Sequence, residues 1–170
     1  MTVTIRKVLL GLSWVPVALA ISDVFHFSKV DGSSMRPTLN PSDLDTHDWV
    51  LLKKFRPSSN LKVNDIVLLK SPFDPSKVLC KRIKAISLDT IKRDTYGDCD
   101  ANNTMLIPRG HVWVEGDNIH SVDSRNFGPI SKGLIVGKVL FIIWPPQRWK
   151  TRLNKWVGNN ILIHSNNEKN

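Results

Sequence analysis

The stretch Val78-Leu79-Cys80-Lys81-Arg82-Ile83 indicates both how this chain folds and where its chemistry lies. In a β-strand successive side chains point to opposite faces, so Leu79, Lys81 and Ile83 share one face and the other three residues share the opposite face. Lys81 then stands on an apolar face. Such a lysine either snorkels to water, which is the commoner outcome, or is desolvated until its amine is neutral near physiological pH. Only a desolvated Lys81 can act as a base.

Short apolar or alternating runs of the same kind recur along the chain, and Pro, Gly, Asn and Asp residues bound them. These runs are Trp49–Leu52, Ile66–Leu69, Val78–Ile86 and His111–Val114. The run Leu134–Trp144 is too short to span a membrane as a helix and fits a long strand or a strand pair. The polar, turn-rich stretch Asp89–Asn103 predicts a loop or an irregular hairpin. The expected fold class is mainly β.

The N-terminal stretch Val8–Phe27 is largely apolar and follows the basic pair Arg6-Lys7. As a helix it would span about 30 Å, the thickness of a bilayer core, with the basic end kept inside. A cleavable signal peptide ending at Ala18-Leu19-Ala20 and a buried N-terminal helix are the alternatives. We expect a short basic N-terminus (1–7), one transmembrane anchor (8–27), a β-rich domain (28–150) and a basic tail (151–170).

Composition narrows the class of protein. The 170 residues suffice for one domain with a core, and 24 Lys and Arg against 15 Asp and Glu give a net charge of +9. The basic residues are spread along the chain without a nucleic-acid-binding motif, so we expect no nucleic-acid partner. Cys80 and Cys99 lack zinc-site spacing. They could form one disulfide or remain as two free thiols. The histidines also lack ligand spacing, so we expect no metal and no cofactor.

A candidate nucleophile lies directly after the proposed anchor, in Asp31-Gly32-Ser33-Ser34-Met35-Arg36-Pro37-Thr38-Leu39. Gly32 permits tight backbone geometry, and Pro37 restricts the residue before it to extended conformations. A serine between them can be presented in a fixed orientation. An ordinary Gly/Ser/Pro turn is the simpler alternative on local grounds.

A third stretch is dense in side chains that hydrogen-bond backbone groups and one another: Gly116-Asp117-Asn118, followed by Ser121-Val122-Asp123-Ser124-Arg125-Asn126-Phe127-Gly128. By itself it predicts only an ordered polar loop. Ser121 could orient a lysine amine, and Asp123 with Arg125 could form a fixing ion pair. With Ser34 and a neutral Lys81, the chain would carry a serine nucleophile activated by an amine.

Together and in this order, the three stretches resemble the type I signal peptidase family. The resemblance implies Ser34 as nucleophile, Lys81 as general base and Ser121 as the serine that orients the amine, with Asp123 and Arg125 as structural partners. It also implies a β-rich peptidase fold, with an apolar surface near the bilayer, for the domain at 28–150.

Two further phrases, Arg109–Asn118 and Phe127–Ile130, resemble the family's mitochondrial inner-membrane branch. Trp14–Val17 and Trp144-Pro145-Pro146 point to one of the two sister catalytic subunits of that branch. The resemblance implies a single-pass protein of the mitochondrial inner membrane whose catalytic domain faces the intermembrane space. It further implies a heterodimer with the sister subunit, the lipid bilayer as a second partner, and precursor proteins as substrates whose sorting segments are removed.

Gly32 departs from the bacterial pattern, in which some members have a serine that completes the oxyanion hole, so the backbone N–H of Ser34 becomes the obvious donor. Three alternatives remain. One is a Ser-His-Asp triad of Ser34, His120 and Asp117. Another is a catalytically silent, membrane-tethered scaffold or partner-binding subunit. The third, a self-cleaving repressor, would need a DNA-binding domain and no membrane anchor, and this chain offers the reverse.

Overall fold

A computed structural model describes residues 13–14, 22, 24–41, 46–54, 58–92 and 104–154. Within these ranges one short helix is described from end to end, α1 (Ser124–Phe127), together with two 3-10 turns, Lys132–Leu134 and Pro146–Arg148. Ser13, Ser22 and Val24 are helical as well. They also contain nine strands: β1 (Phe25–Lys29), β2 (Trp49–Lys53), β3 (Ile66–Lys70), β4 (Val78–Ala85), β5 (Thr90–Lys92), β6 (Thr104–Leu106), β7 (His111–Glu115), β8 (Ile130–Ser131) and β9 (Ile135–Trp144). The prediction of a mainly β fold is confirmed.

Seven strands form one antiparallel sheet in the order β1-β2-β9-β3-β4-β7-β8, and β5 and β6 pair separately as a hairpin. The first part of β9 pairs with β3 from Ile135 to Lys138, and its later part pairs with β2 up to Trp144. Register shifts accompany both pairings, and such irregularities bend and twist a strand. The sheet therefore curls around β9.

Buried apolar side chains lie on both sides of β4. One cluster joins the segment after β1 to β2 and β9, through Met35, Leu39, Val50 and Ile142. A second cluster joins β3, β4, β7 and β8. Between these clusters the side chain of Lys81 is only 2% exposed and that of Arg82 is 0% exposed. The expected alternation of β4 holds, but both of its faces are withdrawn from water.

The packed domain differs from the expected one at both ends. Strand β1 begins at Phe25, inside the stretch expected to be the anchor, because residues 25–29 pair with 49–53 of β2. At the other end, Leu153 is buried in the first cluster, beyond the expected boundary at residue 150. The rest of the predicted anchor lies almost wholly outside the described residues. In the part of the chain that is described, no helix is long and apolar enough to cross a membrane.

An exposed aromatic face covers the outer side of β1, β2 and β9. Phe27 pairs with Leu51, which pairs with Phe141, and Trp49 pairs with Trp144 in the adjoining row. Phe27 is 63% exposed, Trp144 is 53% exposed, and Phe141 and Trp49 are also exposed. Aligned neighbours on one sheet face form a continuous surface, and exposed apolar surfaces of this kind usually contact a partner or a membrane.

Candidate active site

Ser34 lies in the turn that follows β1, which we call the nucleophile turn (residues 31–40) after the role predicted for Ser34 from the sequence. Gly32 has a φ of 91°, in the region that favours glycine, as expected from its place in the motif. Below Ser34, the side chains of Met35 and Leu39 are buried, and the Leu39 N–H donates to the Met35 carbonyl at 2.8 Å. The turn is thus anchored by its apolar residues while its serine stays accessible.

Two other parts of the chain meet Ser34. Its hydroxyl donates to the carbonyl of Cys80, the residue before Lys81, at 3.3 Å. The backbone N–H of Asn118 donates to the Ser34 carbonyl at 3.0 Å, and the Asn118 amide side chain donates to the Ser33 carbonyl at 3.1 Å. The serine is therefore held between β4 and the loop that follows β7.

Lys81 lies in the middle of β4, opposite Val67 of β3. Its amine donates a hydrogen bond of 2.5 Å to the Ser121 hydroxyl. Burial lowers the pKa of the Lys81 amine, and the nearby Asp123 carboxylate opposes part of that effect. The neutral form of the amine is therefore more accessible than in water, as a general base requires.

Gly116 is the point where the two serines converge. A Cβ atom on Gly116 would clash with the Ser121 side chain and would stand 2.5 Å from the Ser34 carbonyl oxygen. The φ of Gly116 is not positive, so close approach and not backbone conformation requires a glycine here. The structure thus brings Ser34, Lys81 and Ser121 to one place.

Asp123 and Arg125 form a fixed pair beside Ser121. The Arg125 guanidinium donates to both carboxylate oxygens of Asp123, at 2.9 and 2.7 Å, and the Gly116 N–H donates to the same carboxylate at 2.8 Å. Asp123 also caps α1. Burial alone would raise the pKa of the Asp123 carboxyl, but these hydrogen bonds outweigh burial and lower it. The carboxylate therefore ties the loop that carries Ser121 to Gly116.

A second ion pair, between Arg82 and Asp117, was not predicted. The guanidinium donates to the two Asp117 oxygens at 2.7 and 2.6 Å, and both side chains are almost fully buried. It also donates to the carbonyls of Asn64 at 3.0 Å and Leu153 at 2.6 Å. In the sequence, Arg82 was noted only as the neighbour of Lys81. That adjacency does not indicate an ion-pair partner 35 residues away.

The alternative triad of Ser34, His120 and Asp117 does not assemble. Both oxygens of Asp117 are bonded to Arg82, and the His120 residue is exposed to solvent. A histidine base needs a carboxylate that orients its ring, and Asp117 is committed elsewhere. The lysine-based arrangement is the one that the geometry supports.

Two further titratable groups lie on β4. Burial lowers the pKa of Lys84 to about 8, against the attraction of Glu115 and Asp117. Burial raises the pKa of the Cys80 thiol to about 12, so this free thiol stays neutral. Cys99 lies outside the described residues. Lys81 is bonded to the Ser121 hydroxyl, which lies beside Ser34.

The family model and the relatives that match this chain all belong to one family of peptidases. The family model for signal peptidase, peptidase S26, matches residues 4–97 and 92–144. Mitochondrial inner membrane protease subunit 2 of Saccharomyces cerevisiae is 48% identical over 164 residues, which cover 93% of this chain and 90% of that protein. Subunit 2 of Mus musculus is 42% identical, with coverage of 80% and 77%.

Subunit 1 of Schizosaccharomyces pombe is 40% identical, and the match covers 76% of this chain and 80% of that protein. A signal peptidase I crystal structure from Enterococcus faecalis is 22% identical and covers 48% of this chain and 97% of its own, with a TM-score of 0.39. The similarity to the mitochondrial branch, and within it to subunit 2, is as the sequence motifs predicted. The chain belongs to the signal peptidase S26 family of serine peptidases.

Proposed function

We propose that this chain is a membrane-bound endopeptidase that removes sorting or signal segments from precursor proteins by means of a Ser34/Lys81 dyad. One observation carries the proposal. The buried Lys81 amine, whose pKa is lowered, donates a hydrogen bond to the Ser121 hydroxyl. The Ser34 hydroxyl lies beside it and donates to the carbonyl of Cys80, the residue before Lys81. A desolvated amine beside a serine is the requirement for this kind of nucleophile activation.

In the proposed mechanism the Ser34 hydroxyl turns from the Cys80 carbonyl towards the Lys81 amine as substrate binds. The neutral amine takes the hydroxyl proton while Ser34 Oγ forms a bond to the scissile carbonyl carbon. The protonated amine then gives that proton to the leaving nitrogen, and the peptide bond breaks to leave an acyl-enzyme. A water molecule then adds to the ester carbonyl as the same amine takes one of its protons. The amine passes that proton to Ser34 Oγ as the ester bond breaks, and the cleaved segment leaves with a new carboxyl end. The Ser34 N–H is the proposed donor to the oxyanion.

Ser121, Asp123 and Arg125 act as supporting residues in this proposal. Ser121 accepts a hydrogen bond from the Lys81 amine and so directs it. Asp123 holds the backbone of Gly116 at 2.8 Å, which sets the distance between the Ser121 loop and Ser34. Arg125 neutralises Asp123, and this limits the attraction that would keep Lys81 protonated.

The cellular setting that we propose follows the relatives, which are named as subunits of a mitochondrial inner membrane protease. The chain would cross that membrane once, with its N-terminus in the matrix and its catalytic domain in the intermembrane space. Since relatives named subunit 1 and subunit 2 both match, a heterodimer with a sister subunit is part of the proposal. Its substrates would be precursors delivered to the intermembrane space.

The exposed aromatic face supports a position against the bilayer surface. Trp49 and Trp144 lie side by side on it, and tryptophan favours the boundary between water and lipid. Lipids brominated near the headgroup should quench the fluorescence of the membrane-bound chain. Because Trp14 lies in the proposed anchor and would itself be quenched, the comparison is made in a Trp14→Phe background. There Trp49→Phe/Trp144→Phe should lose most of the quenching, and unchanged quenching would refute this position.

The experiment that tests the proposed function compares membranes that carry the wild-type chain, Ser34→Ala or Lys81→Arg. Ser33→Ala is the matched control, because Ser33 is the exposed neighbouring serine. Cleavage is measured by N-terminal proteomics of intermembrane-space precursors, and immunoblots check the level of the sister subunit. Guanidinium keeps the charge of the amine but cannot act as a base, so Lys81→Arg should be inactive.

We expect Ser34→Ala and Lys81→Arg to accumulate the same uncleaved precursors while the sister subunit persists and Ser33→Ala processes normally. Normal processing by Ser34→Ala would instead make the chain a scaffold or partner-binding subunit. If Lys81→Arg processes normally while Ser34→Ala does not, Lys81 is not the general base, and Ser34 remains the proposed nucleophile.

A further inference from the structure

The end of the nucleophile turn is fastened to the segment that follows β9. Arg148 lies in the 3-10 turn Pro146–Arg148, and its guanidinium donates to the carbonyl of Thr38 at 2.6 Å. The same guanidinium forms an ion pair with Asp48. Thr38 is four positions after Ser34, on the far side of the buried Met35. Arg148 therefore bonds the turn directly, from a residue 110 positions away in the sequence.

Asp48 connects the same ion pair to Asn40, the last residue of the turn. The Asn40 N–H donates to Asp48 Oδ2 at 2.8 Å, and the Asp48 N–H donates to Asn40 Oδ1 at 2.8 Å. The Asn40 side-chain amide in turn donates to the carbonyls of Val30 at 2.7 Å and Gly32 at 3.3 Å. Asn40 thus bridges the beginning and the end of the turn, and Asp48 holds Asn40 in place.

The ion pair of Asp48 and Arg148 is poorly explained by stability alone. Both side chains are buried, and Asp48 Oδ1 has no hydrogen-bond partner among the residues that the structure describes. A buried pair with an unsatisfied oxygen gains little over apolar residues of similar size. The arginine, however, offers several donors in a rigid fork, so that one side chain can bond a carboxylate and a carbonyl together.

We infer that Arg148 is a positioning residue for the reaction, because its guanidinium, with Asp48 and Asn40, fixes the turn that presents Ser34. This inference rests on the proposed function, in which Ser34 is the nucleophile. The segment after β9 is then part of the catalytic apparatus without touching substrate. Nucleophiles need positional accuracy well below 1 Å, and a displacement of about 1 Å lowers rates by about 100-fold.

The test uses the full-length chain with the double substitution Asp48→Asn/Arg148→Met. Removing both charges leaves no unpaired ion in the core, so the domain should remain folded. The amide of Asp48→Asn still offers an oxygen to the Asn40 N–H, and the backbone N–H of residue 48 still donates to Asn40 Oδ1, so the Thr38 carbonyl is the group of the turn that loses its donor. The matched control is Asp65→Asn/Lys138→Met, which removes a somewhat more exposed ion pair, 2.7 Å long, that has no atom on the nucleophile turn.

Two readouts are measured on each variant. The first is hydrogen–deuterium exchange in the peptide that covers the nucleophile turn, which we expect to become about tenfold faster in Asp48→Asn/Arg148→Met and unchanged in the control. The second is processing of a precursor that accumulates uncleaved with Ser34→Ala. For it we expect kcat to fall by about 100-fold with KM unchanged, because substrate binding is untouched while the nucleophile is misplaced.

Unchanged exchange in the turn would overturn the inference, whether or not the chain proves to be a peptidase. Faster exchange with a wild-type kcat would also overturn it, because the turn would then be loosened without effect on the reaction. If Ser34→Ala itself processes normally, the proposed function fails by that result, and the positioning role fails with it. The exchange result would then show only whether Arg148 orders the turn.

Discussion

Replacing Gly116 with alanine perturbs the point where Ser34 and Ser121 come together. The new Cβ would stand 2.5 Å from the Ser34 carbonyl oxygen, whereas an unstrained contact needs about 3.5 Å. Because the opposing atom belongs to the backbone, the turn or the strand must move by about 1 Å. We expect kcat to fall by about 100-fold, and overpacking to lower the free energy of unfolding by about 1–3 kcal/mol.

Gly137→Ala is the matched control for this prediction. Gly137 lies in β9, where an added Cβ would meet its nearest neighbours, Leu52 and the Lys53 carbonyl, at 3.6 Å, an ordinary contact. Initial rates of precursor cleavage give kcat and KM, and urea unfolding gives stability. The control should resemble the wild type in both. If Gly116→Ala folds and keeps the wild-type kcat, then the close approach of Ser34 and Ser121 is not the reason why residue 116 is a glycine.

Three further changes have definite expected outcomes. Arg125→Met removes a cation whose charge lowers the pKa of Lys81, so the pKa should rise and the acid limb of the pH–kcat/KM profile should move to higher pH; a shift to lower pH would contradict this electrostatic role. Arg82→Met leaves Asp117 buried without its partner and should destabilise the domain by about 3–5 kcal/mol in urea unfolding, most of which Arg82→Met/Asp117→Asn should restore; no loss in the single variant would show that the pair is dispensable. Ser121→Ala removes the acceptor of the Lys81 amine and should lower kcat by about 10–100-fold in single-turnover assays, with KM unchanged; wild-type kcat would end the assignment of Ser121.

Much of the fold could be predicted from sequence because its strands are short, regular and bounded by turn residues. Alternation in the stretch around Lys81 correctly placed that lysine on an apolar face, and the long run ending at Trp144 is indeed one strand, β9. The start of β1 was missed because Phe25 and Phe27 look like the end of an apolar anchor. Only their pairing with β2 shows that they belong to the sheet.

The candidate site was predictable where short motifs carry it, and not where the fold alone creates it. Ser34, Lys81 and Ser121 each lie in a recognisable phrase, and the structure brings them together. Arg82 was placed on the face of β4 opposite Lys81 without a partner, and no role was predicted for Arg148. Their partners are distant in sequence, so no local pattern could reveal that both guanidinium groups are buried beside Thr38.

The sequence separation of those two guanidinium contacts has a consequence for how an active molecule arises. Arg82 reaches the carbonyl of Leu153, 71 positions later, and Arg148 reaches back 110 positions to Thr38. Each of these contacts needs residues from both the beginning and the end of the domain, and each closes a long loop of chain. A chain that is still being synthesised therefore cannot make these contacts with the turn until nearly all of the domain has been added. Under the proposed function, completion of the fold and completion of the turn that presents Ser34 thus coincide.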